Sequence, residues 1–290
     1  MFSTIAILGP GLLGASAGIA AHEAQLSKRI VAWARKAEVR LLCEQSPWCD
    51  EVCTHAEEAV KDSDLVIICT PVQTILTIYE TIAPALKPGA IVTDVGSTKS
   101  LIVRLAQGVT PPGTYFIGSH PMAGSEKSGF AAGYGDLFKS RSCFVTPLAE
   151  TPEEPLESVV RFWAGLGMHV QSVSPEEHDE IVAHISHVPH VLASALCSYL
   201  DTKPHAWRDF AGGGLRDTTR IAGGDSGLWK EIVEQNSDEI VRALRGFQDE
   251  LRAFEAAVIN KQPAAILNIL QRGQTYRARL NSETSDHDSA

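Results

Sequence analysis

The sequence predicts an α/β fold class: a doubly wound parallel sheet followed by an all-helical domain. Three observations predict it. Short apolar runs that stop at glycine or proline alternate with helical patterns through residues 1–173. A glycine-rich turn joins the first run to the first helical pattern. After residue 174 the apolar residues recur only at helical spacing.

Taken in order, TIAIL at 4–8 is the kind of short apolar run found in a buried parallel strand. It stops at Gly9, and the small-residue pattern LLGASAGIAAHEA at 12–24 predicts a helix. RIVAW at 29–33 is a second strand, and DLVIICT at 64–70 is a third that stops at Pro71. A helical pattern then runs to about residue 86, Pro88 and Gly89 make a turn, and AIVTDV at 90–95 is a fourth strand. TYFIGSHP at 114–121 reads as a fifth strand ending in a loop; CFVTP at 143–147 and HVQSV at 169–173 are two later ones. The stretches 176–200 and 227–259 are helical, the second long and amphipathic, and such a face calls for a partner surface. The expected division is a sheet domain over 1–173, a helical dimerisation domain over 174–280, and a polar, acidic, disordered tail over 281–290.

The 290 residues suffice for one large or two ordinary domains. They are 44% hydrophobic and 21% charged, with a net charge of -10. That balance argues against a nucleic-acid partner, which needs a basic face, yet allows an anionic small substrate held by a few local cations. Cys43, Cys49, Cys53, Cys69, Cys143 and Cys197 form no CxxC pair, so reduced thiols and no metal are expected. The first ten residues carry no basic stretch or cleavage site, and no run of ~18 uninterrupted apolar residues occurs. A cytoplasmic protein without a membrane partner is the expectation.

GPGLLG at 9–14 fits the pattern GxGxxG in the context that gives it meaning, with a strand before, a helix after and a second strand beyond. Gly9 then permits the tight turn, Gly11 lets the backbone approach a pyrophosphate, and Gly14 lets helix and strand pack closely. The anion sits on free N–H groups at the helix N-terminus. This is a Rossmann-like dinucleotide site; Leu13 in the turn, and Thr70 and Pro71 at the end of the third strand, are further candidates to line it. The end of the second strand reads Trp33-Ala34-Arg35-Lys36, with no carboxylate to accept the ribose hydroxyls. Arg35 is suited to a 2′-phosphate, which favours NADP over NAD; a solvated Arg-Lys pair opening a helix is the alternative.

GSHPMAGSEKSG at 118–129 is too rich in Gly, Pro and Ser for a helix or a long strand. His120 within it is either a surface loop histidine or the working base of a site. His184, His187 and His190 recur at i, i+3, i+6, but no carboxylate completes a zinc set and Pro189 interrupts the face. On residues alone, metal ligands, core or capping histidines and substrate contacts all remain open.

Four stretches together carry a resemblance: GPGLLG at 9–14, DVGSTKS at 94–100, GSHPMAGSEKSG at 118–129 and SHVPH at 186–190. GGGLRDTTRIAGGDSGLW at 212–229 agrees with them. Over about residues 1–280 the chain resembles prephenate dehydrogenase and its arogenate and cyclohexadienyl relatives. The resemblance implies NAD(P)-dependent oxidative decarboxylation of prephenate to 4-hydroxyphenylpyruvate, toward tyrosine, with tyrosine as a possible feedback inhibitor. It makes His120 the catalytic histidine, at the edge where the nicotinamide lies. It makes Ser97 the serine that orients the substrate hydroxyl and the base, beside the cofactor. It implies substrate contacts for Ser186, His187 and His190, and a carboxylate clamp for Arg220, with Asp217 and Glu126 as acids that gate the pocket. Gly213 and Trp229 line the site, Trp229 being equally well explained as core packing. A homodimer through the helical domain is implied as well.

Two rival readings are kept. Arogenate carries an ammonium where prephenate does not, and Asp217 is placed to favour it, although Arg220 three residues on opposes that. A non-catalytic NADP-sensing protein needs the glycine turn but not His120, Ser97 and Arg220 together. The β-hydroxyacid dehydrogenases share the plan but need a catalytic lysine in the helical part, and Lys203, Lys230 and Lys261 lack that setting.

Overall fold

A computed structural model describes residues 2–124 and 127–287. The chain opens with β1 (Phe2–Leu8), α1 (Leu12–Glu23), β2 (Ser27–Trp33), α2 (Ala37–Glu44), β3 (Glu51–Cys53), α3 (Ala56–Val60) and β4 (Leu65–Ile68). It continues with α4 (Ile75–Ile82), β5 (Ile91–Asp94), α5 (Ser100–Gln107) and β6 (Tyr115–Phe116). These strands form a six-stranded parallel sheet in the order β3-β2-β1-β4-β5-β6. Successive side chains of a strand face opposite sides, and here both sides are apolar. Ile5, Ile7, Leu65 and Ile67 join one buried cluster, while Ala6, Leu8, Val66 and Ile68 join the other. The order reverses between β1 and β4, which opens a crevice at their carboxyl ends.

A second, three-stranded sheet follows, in the order β7 (Gly118–Pro121), β8 (Ser142–Thr146) and β9 (His169–Ser172), with α6 (Glu153–Gly165) between the last two. β7 and β8 are antiparallel; β8 and β9 are parallel. The stretch read as one fifth strand is therefore two, divided at Ile117 and belonging to different sheets. The Gly-, Pro- and Ser-rich run that follows opens with a short strand, as Gly118–Pro121 find partners in Thr146–Cys143. β3 was also not expected: it is a three-residue edge strand with only Cys53 buried.

The rest is helical: α7 (Pro175–Val182), a π-helical turn over Ala183–His187, α8 (Val188–Asp201), α9 (Gly213–Thr219) and α10 (Ser226–Gln235). Ser174 caps α7, its Oγ accepting from Glu177 N at 3.1 Å, and Pro175 occupies the first turn. Asp225 caps α10 by accepting from Leu228 N at 2.7 Å. The stretch Pro175–Asp201 is long and apolar enough to cross a bilayer, with a mean hydropathy of 1.3. A third of it is buried, including His178, Asp179, His187 and His190; His178 bonds to His120 on β7, and Asp179 to Lys99 N in the loop after β5.

Compactness divides the chain after Asn236 rather than near residue 174. α7 and α10 are tied to the loop that follows β5, through bonds such as Lys99 N to Asp179 Oδ1 at 2.8 Å and Thr98 Oγ1 to Gln235 Oε1 at 2.6 Å. The second unit starts at Ser237 and holds α11 (Ser237–Ile259) and α12 (Pro263–His287), joined by an ion pair between Glu250 and Arg272. α12 runs on to His287, into the stretch expected as tail. The large apolar side chains Phe247, Leu251, Leu267, Leu270 and Tyr276 of this hairpin are exposed.

Candidate active site

The glycine turn folds as its residues dictate. Gly9 has φ +84°, and a Cβ there would meet Thr70 Cγ2 at 2.6 Å. A Cβ on Gly14 would meet Gly9 O at 2.8 Å and Cys69 Cβ at 3.0 Å, so the closeness of helix and strand depends on its absence. On Gly11 a Cβ meets nothing within 4 Å among the described residues. That space belongs to a cleft of about 390 Å³ lined by Gly9, Gly11, Trp33, Arg35, Thr70, Pro71 and Phe130. Gly11 also caps α1, whose first turn carries no acid. Thr70 Oγ1 is buried there without a partner. Leu13 is half-buried and packs on the core. Arg35 and Lys36 are exposed at the rim, and among the described residues no ion pair occupies the Arg35 guanidinium. An open anion cradle beside an unoccupied guanidinium fits a dinucleotide.

The second half of the site begins where β5 ends. Asp94 is fully buried and forms an ion pair with Lys99, also fully buried. Its other oxygen accepts from Ser119 N at 3.2 Å, and Thr93 Oγ1 lies 2.7 Å from Ser119 Oγ. These bonds fix β7 at the carboxyl edge of the large sheet. Burial pulls the Lys99 ammonium below its usual range against the opposing pull of Asp94. Ser97 lies half-buried in the loop between them.

His120 follows Ser119 on β7, opposite Phe144 of β8, and is buried. The expectation of a loop histidine is thus corrected: strand pairing holds the backbone on both sides of it. Its Nδ1 lies 2.9 Å from His178 Nε2, and His178 Nδ1 lies 2.8 Å from Asp179 Oδ1. Burial, with His178 and Lys99 nearby, pushes the His120 pKa well below its ordinary value. Burial also lowers His178, with Asp179 opposing. Burial alone would raise the Asp179 carboxyl, but the His178 bond and the N–H groups of Ser100 and Lys99 hold it below its ordinary value. His120 is therefore neutral at physiological pH and available as a base.

The three histidines of the helical part do not converge. His184 is exposed and bonds to Glu180 O at 2.9 Å, whereas His187 and His190 are buried. The π-helical turn ahead of Pro189 separates them, a distortion common at functional sites. Asn236 Nδ2 donates to Asp179 O at 2.8 Å and lies 3.1 Å from His187 Nδ1. An amide N–H can only donate, so His187 accepts on Nδ1 and keeps its hydrogen on Nε2, which is buried without a partner. Burial lowers its pKa to about 4, with Asp179 and the Ser97 main chain opposing. His190 stacks on Trp229 with its Nδ1 buried and unpartnered. His190 Nδ1 thus has no partner among the described residues, and His187 Nε2 makes no well-aligned bond, although the Ser97 main chain lies beside that ring; a polar substrate can engage both.

Ser186 is half-buried on the same turn. Gly213, Asp217 and Arg220 are exposed, on α9 and the turn after it. Among the described residues no ion pair joins Arg220 to Asp217. A Cβ on Gly224 would meet Trp229 Nε1 at 2.8 Å and His190 Cε1 at 3.3 Å, so this turn closes over the stacked pair. Glu126 lies outside the described residues. The structure thus gathers Ser97, His120, His187, His190 and Trp229, and leaves Arg220, Asp217 and Gly213 on the adjoining surface. His178, Asp179, Lys99 and Asn236 were missed. Their signal was present: Pro175, His178, Asp179, Val182 and Ala183 follow the i, i+3, i+4, i+7, i+8 spacing of a buried face, where a His-Asp pair demands a reason.

Comparison with known proteins agrees along the whole chain. Residues 21–172 match the nucleotide-binding domain of prephenate dehydrogenase, and residues 174–272 match its dimerization domain. The cyclohexadienyl dehydrogenase of Zymomonas mobilis is 30% identical, over 99% of this chain and 98% of its own. The prephenate dehydrogenase of Bacillus subtilis is 32% identical, over 97% of this chain and 76% of its own. Among solved structures, prephenate dehydrogenase from A. aeolicus with hydroxyphenyl propionate and NAD+ superposes with a TM-score of 0.90 at 27% identity, covering 97% of this chain and 99% of that one. Synechocystis arogenate dehydrogenase superposes at 0.85 and 26% identity, covering 96% and 99%.

Proposed function

The chain belongs to the prephenate dehydrogenase family of nicotinamide-dependent oxidoreductases, and on that premise we propose that it converts prephenate to 4-hydroxyphenylpyruvate and CO2 with NADP, toward tyrosine. The observation that carries this reading is a buried, neutral His120 held beside the loop of Ser97, at the same sheet edge as the glycine turn. The curated relatives that bear the name prephenate dehydrogenase support the choice of substrate.

A nicotinamide held there would supply the hydride acceptor. Gly9, Gly11 and Gly14 shape the turn that would receive its pyrophosphate, and Arg35 would hold the 2′-phosphate. His120 takes the proton of the C4 hydroxyl as C4 gives up its hydride, and Ser97 orients that hydroxyl. Loss of the ring carboxylate as CO2 then makes the ring aromatic. His187 donates from Nε2, and Arg220 clamps a carboxylate with its guanidinium fork. Trp229 and His190 close the apolar side of the pocket. The exposed apolar residues of α11 and α12 support a homodimer.

Oxidation of arogenate is the second reading. Asp217, exposed and without an ion pair to Arg220 among the described residues, is available to an ammonium. Initial rates with prephenate and arogenate, each with NADP and NAD, decide both axes. Turnover with arogenate alone moves Asp217 to the substrate's ammonium. His120→Asn is expected to bind NADP normally and lose nearly all turnover; full turnover would remove His120 from the chemistry.

A further inference from the structure

Two neighbours decide where the hydrogens sit on His120. Asp179 accepts from the main-chain N–H of Lys99 at 2.8 Å and of Ser100 at 2.9 Å, which holds it as a carboxylate. A carboxylate only accepts, so the 2.8 Å contact requires the hydrogen on His178 Nδ1. Neutral His178 then has a bare Nε2. The 2.9 Å contact in turn requires the hydrogen of His120 on Nδ1, leaving the His120 lone pair on Nε2.

We propose that His120, His178 and Asp179 are a reversible proton store: a proton taken by His120 Nε2 sends the Nδ1 hydrogen across to His178 Nε2, where the charge rests beside Asp179. One N–H bond forms at His120 Nε2, one breaks at its Nδ1, and one forms at His178 Nε2. His178 Nδ1 keeps its hydrogen and Asp179 stays ionised. This rests on the reading that His120 is the base. It answers a demand of that reaction. Prephenate, a dianion, becomes 4-hydroxyphenylpyruvate, CO2 and a transferred hydride with no net proton released. The hydroxyl proton must therefore be held while C4 is oxidised and CO2 leaves, and then be returned to the phenol oxygen.

The surroundings favour His178 as the resting place. Lys99, on the loop after β5, is positive, and Asp94 beside it is occupied by Lys99 Nζ, Gly96 N and Ser119 N. Burial pushes the Cys143 thiol on β8 up, so it carries no charge. His187 on the π-helical turn is neutral by its own lowered pKa. Asp179 is left as the carboxylate in contact with the histidine pair, and it touches His178, not His120. His178 is thus a positioning residue that also takes up charge.

Two measurements on the full chain test this. In long-range 1H–15N spectra of histidine-labelled protein at neutral pH, His120 and His178 should both be Nδ1–H tautomers; an Nε2–H form of His120 overturns the store. His178→Gln keeps the geometry, since its amide accepts from His120 and donates to Asp179, but it takes up no proton. We expect kcat to fall roughly tenfold to a hundredfold with KM within about threefold. We expect the acid limb of the kcat profile to move to lower pH, because His120 must then hold the charge alone. A purely structural role predicts rescue by glutamine; an unmoved limb, with or without loss of kcat, overturns the proposal. Full turnover by His120→Asn fails the parent reading instead, and the tautomers report on the relay independently of it.

Discussion

The imidazole of His190 lies flat on the indole of Trp229, with 3.5 Å between ring centroids and 9° between planes. The same indole meets His187 edge-on at 6.1 Å and 83°. Trp229 therefore holds both His187 and His190, each buried in the helical part. Trp229→Ala is expected to cost about 2 kcal/mol in urea unfolding and to raise KM for the substrate more than it lowers kcat. Trp229→Phe should keep most of both. An alanine variant with unchanged KM would return Trp229 to simple packing.

Two glycines of one turn should fail in different ways. Gly14→Ala drives a Cβ into Gly9 O at 2.8 Å, and overpacking of this kind costs about 1–3 kcal/mol. Gly11 has φ -83° and a Cβ there meets no atom of the described residues within 4 Å, so Gly11→Ala should unfold at the same urea concentration as the parent. Its NADP affinity should nonetheless fall about tenfold or more, a loss of about 1.4 kcal/mol or more. Calorimetric titration beside a urea melt separates the two cases.

The proposed preference for NADP rests on Arg35. Charge-assisted hydrogen bonds are worth about 1.5–3 kcal/mol, so Arg35→Ala should raise KM for NADP roughly tenfold to a hundredfold and leave KM for NAD nearly unchanged. Arg35→Asp should go further and prefer NAD. Equal effects on both cofactors would make Arg35 a solvated residue at the start of α2.

Stability should fall on the acid side. His120, His178, His187 and His190 all have native pKa values below the ordinary 6.5. Below 6.5 the unfolded chain binds protons that the native chain refuses, so stability declines as pH drops. For His187 the window runs from 6.5 down to about 4, and it alone accounts for about 3 kcal/mol by the lower end. Asp179, held below its ordinary value of 3.8, keeps its contribution through this window. Urea midpoints should change little between pH 7.5 and 6.5 and fall clearly by 5.5; a level series would mean the histidines are freely solvated.

The parallel sheet and the glycine turn were legible because their causes are local: apolar runs, a φ > 0 glycine, an abrupt stop at Pro71. The second sheet was not. Nothing in TYFIGSHP marks the point where the chain leaves β6 for β7, since both halves are buried and only their partners differ. The edge strand β3 was too short to show a period. In the site, the residues proposed to meet substrate and cofactor stood out by type and motif. The residues that act through other residues did not: His178 and Asp179 matter because folding brings them to His120, 58 residues away from His178 in the chain.

The burial pattern of the site also bears on how such an enzyme changes over generations. His120, His178 and Asp179 are sealed in the interior, where almost any replacement costs stability as well as chemistry. Gly213, Asp217 and Arg220 ride on an exposed, glycine-rich turn, where replacements are cheap. On the proposed reading, in which Asp217 and Arg220 meet the substrate side chain, drift along that turn can trial a pyruvyl against an aminated side chain while the oxidation beneath it stays intact. Substrate preference is then free to diverge on the outside of an inherited reaction.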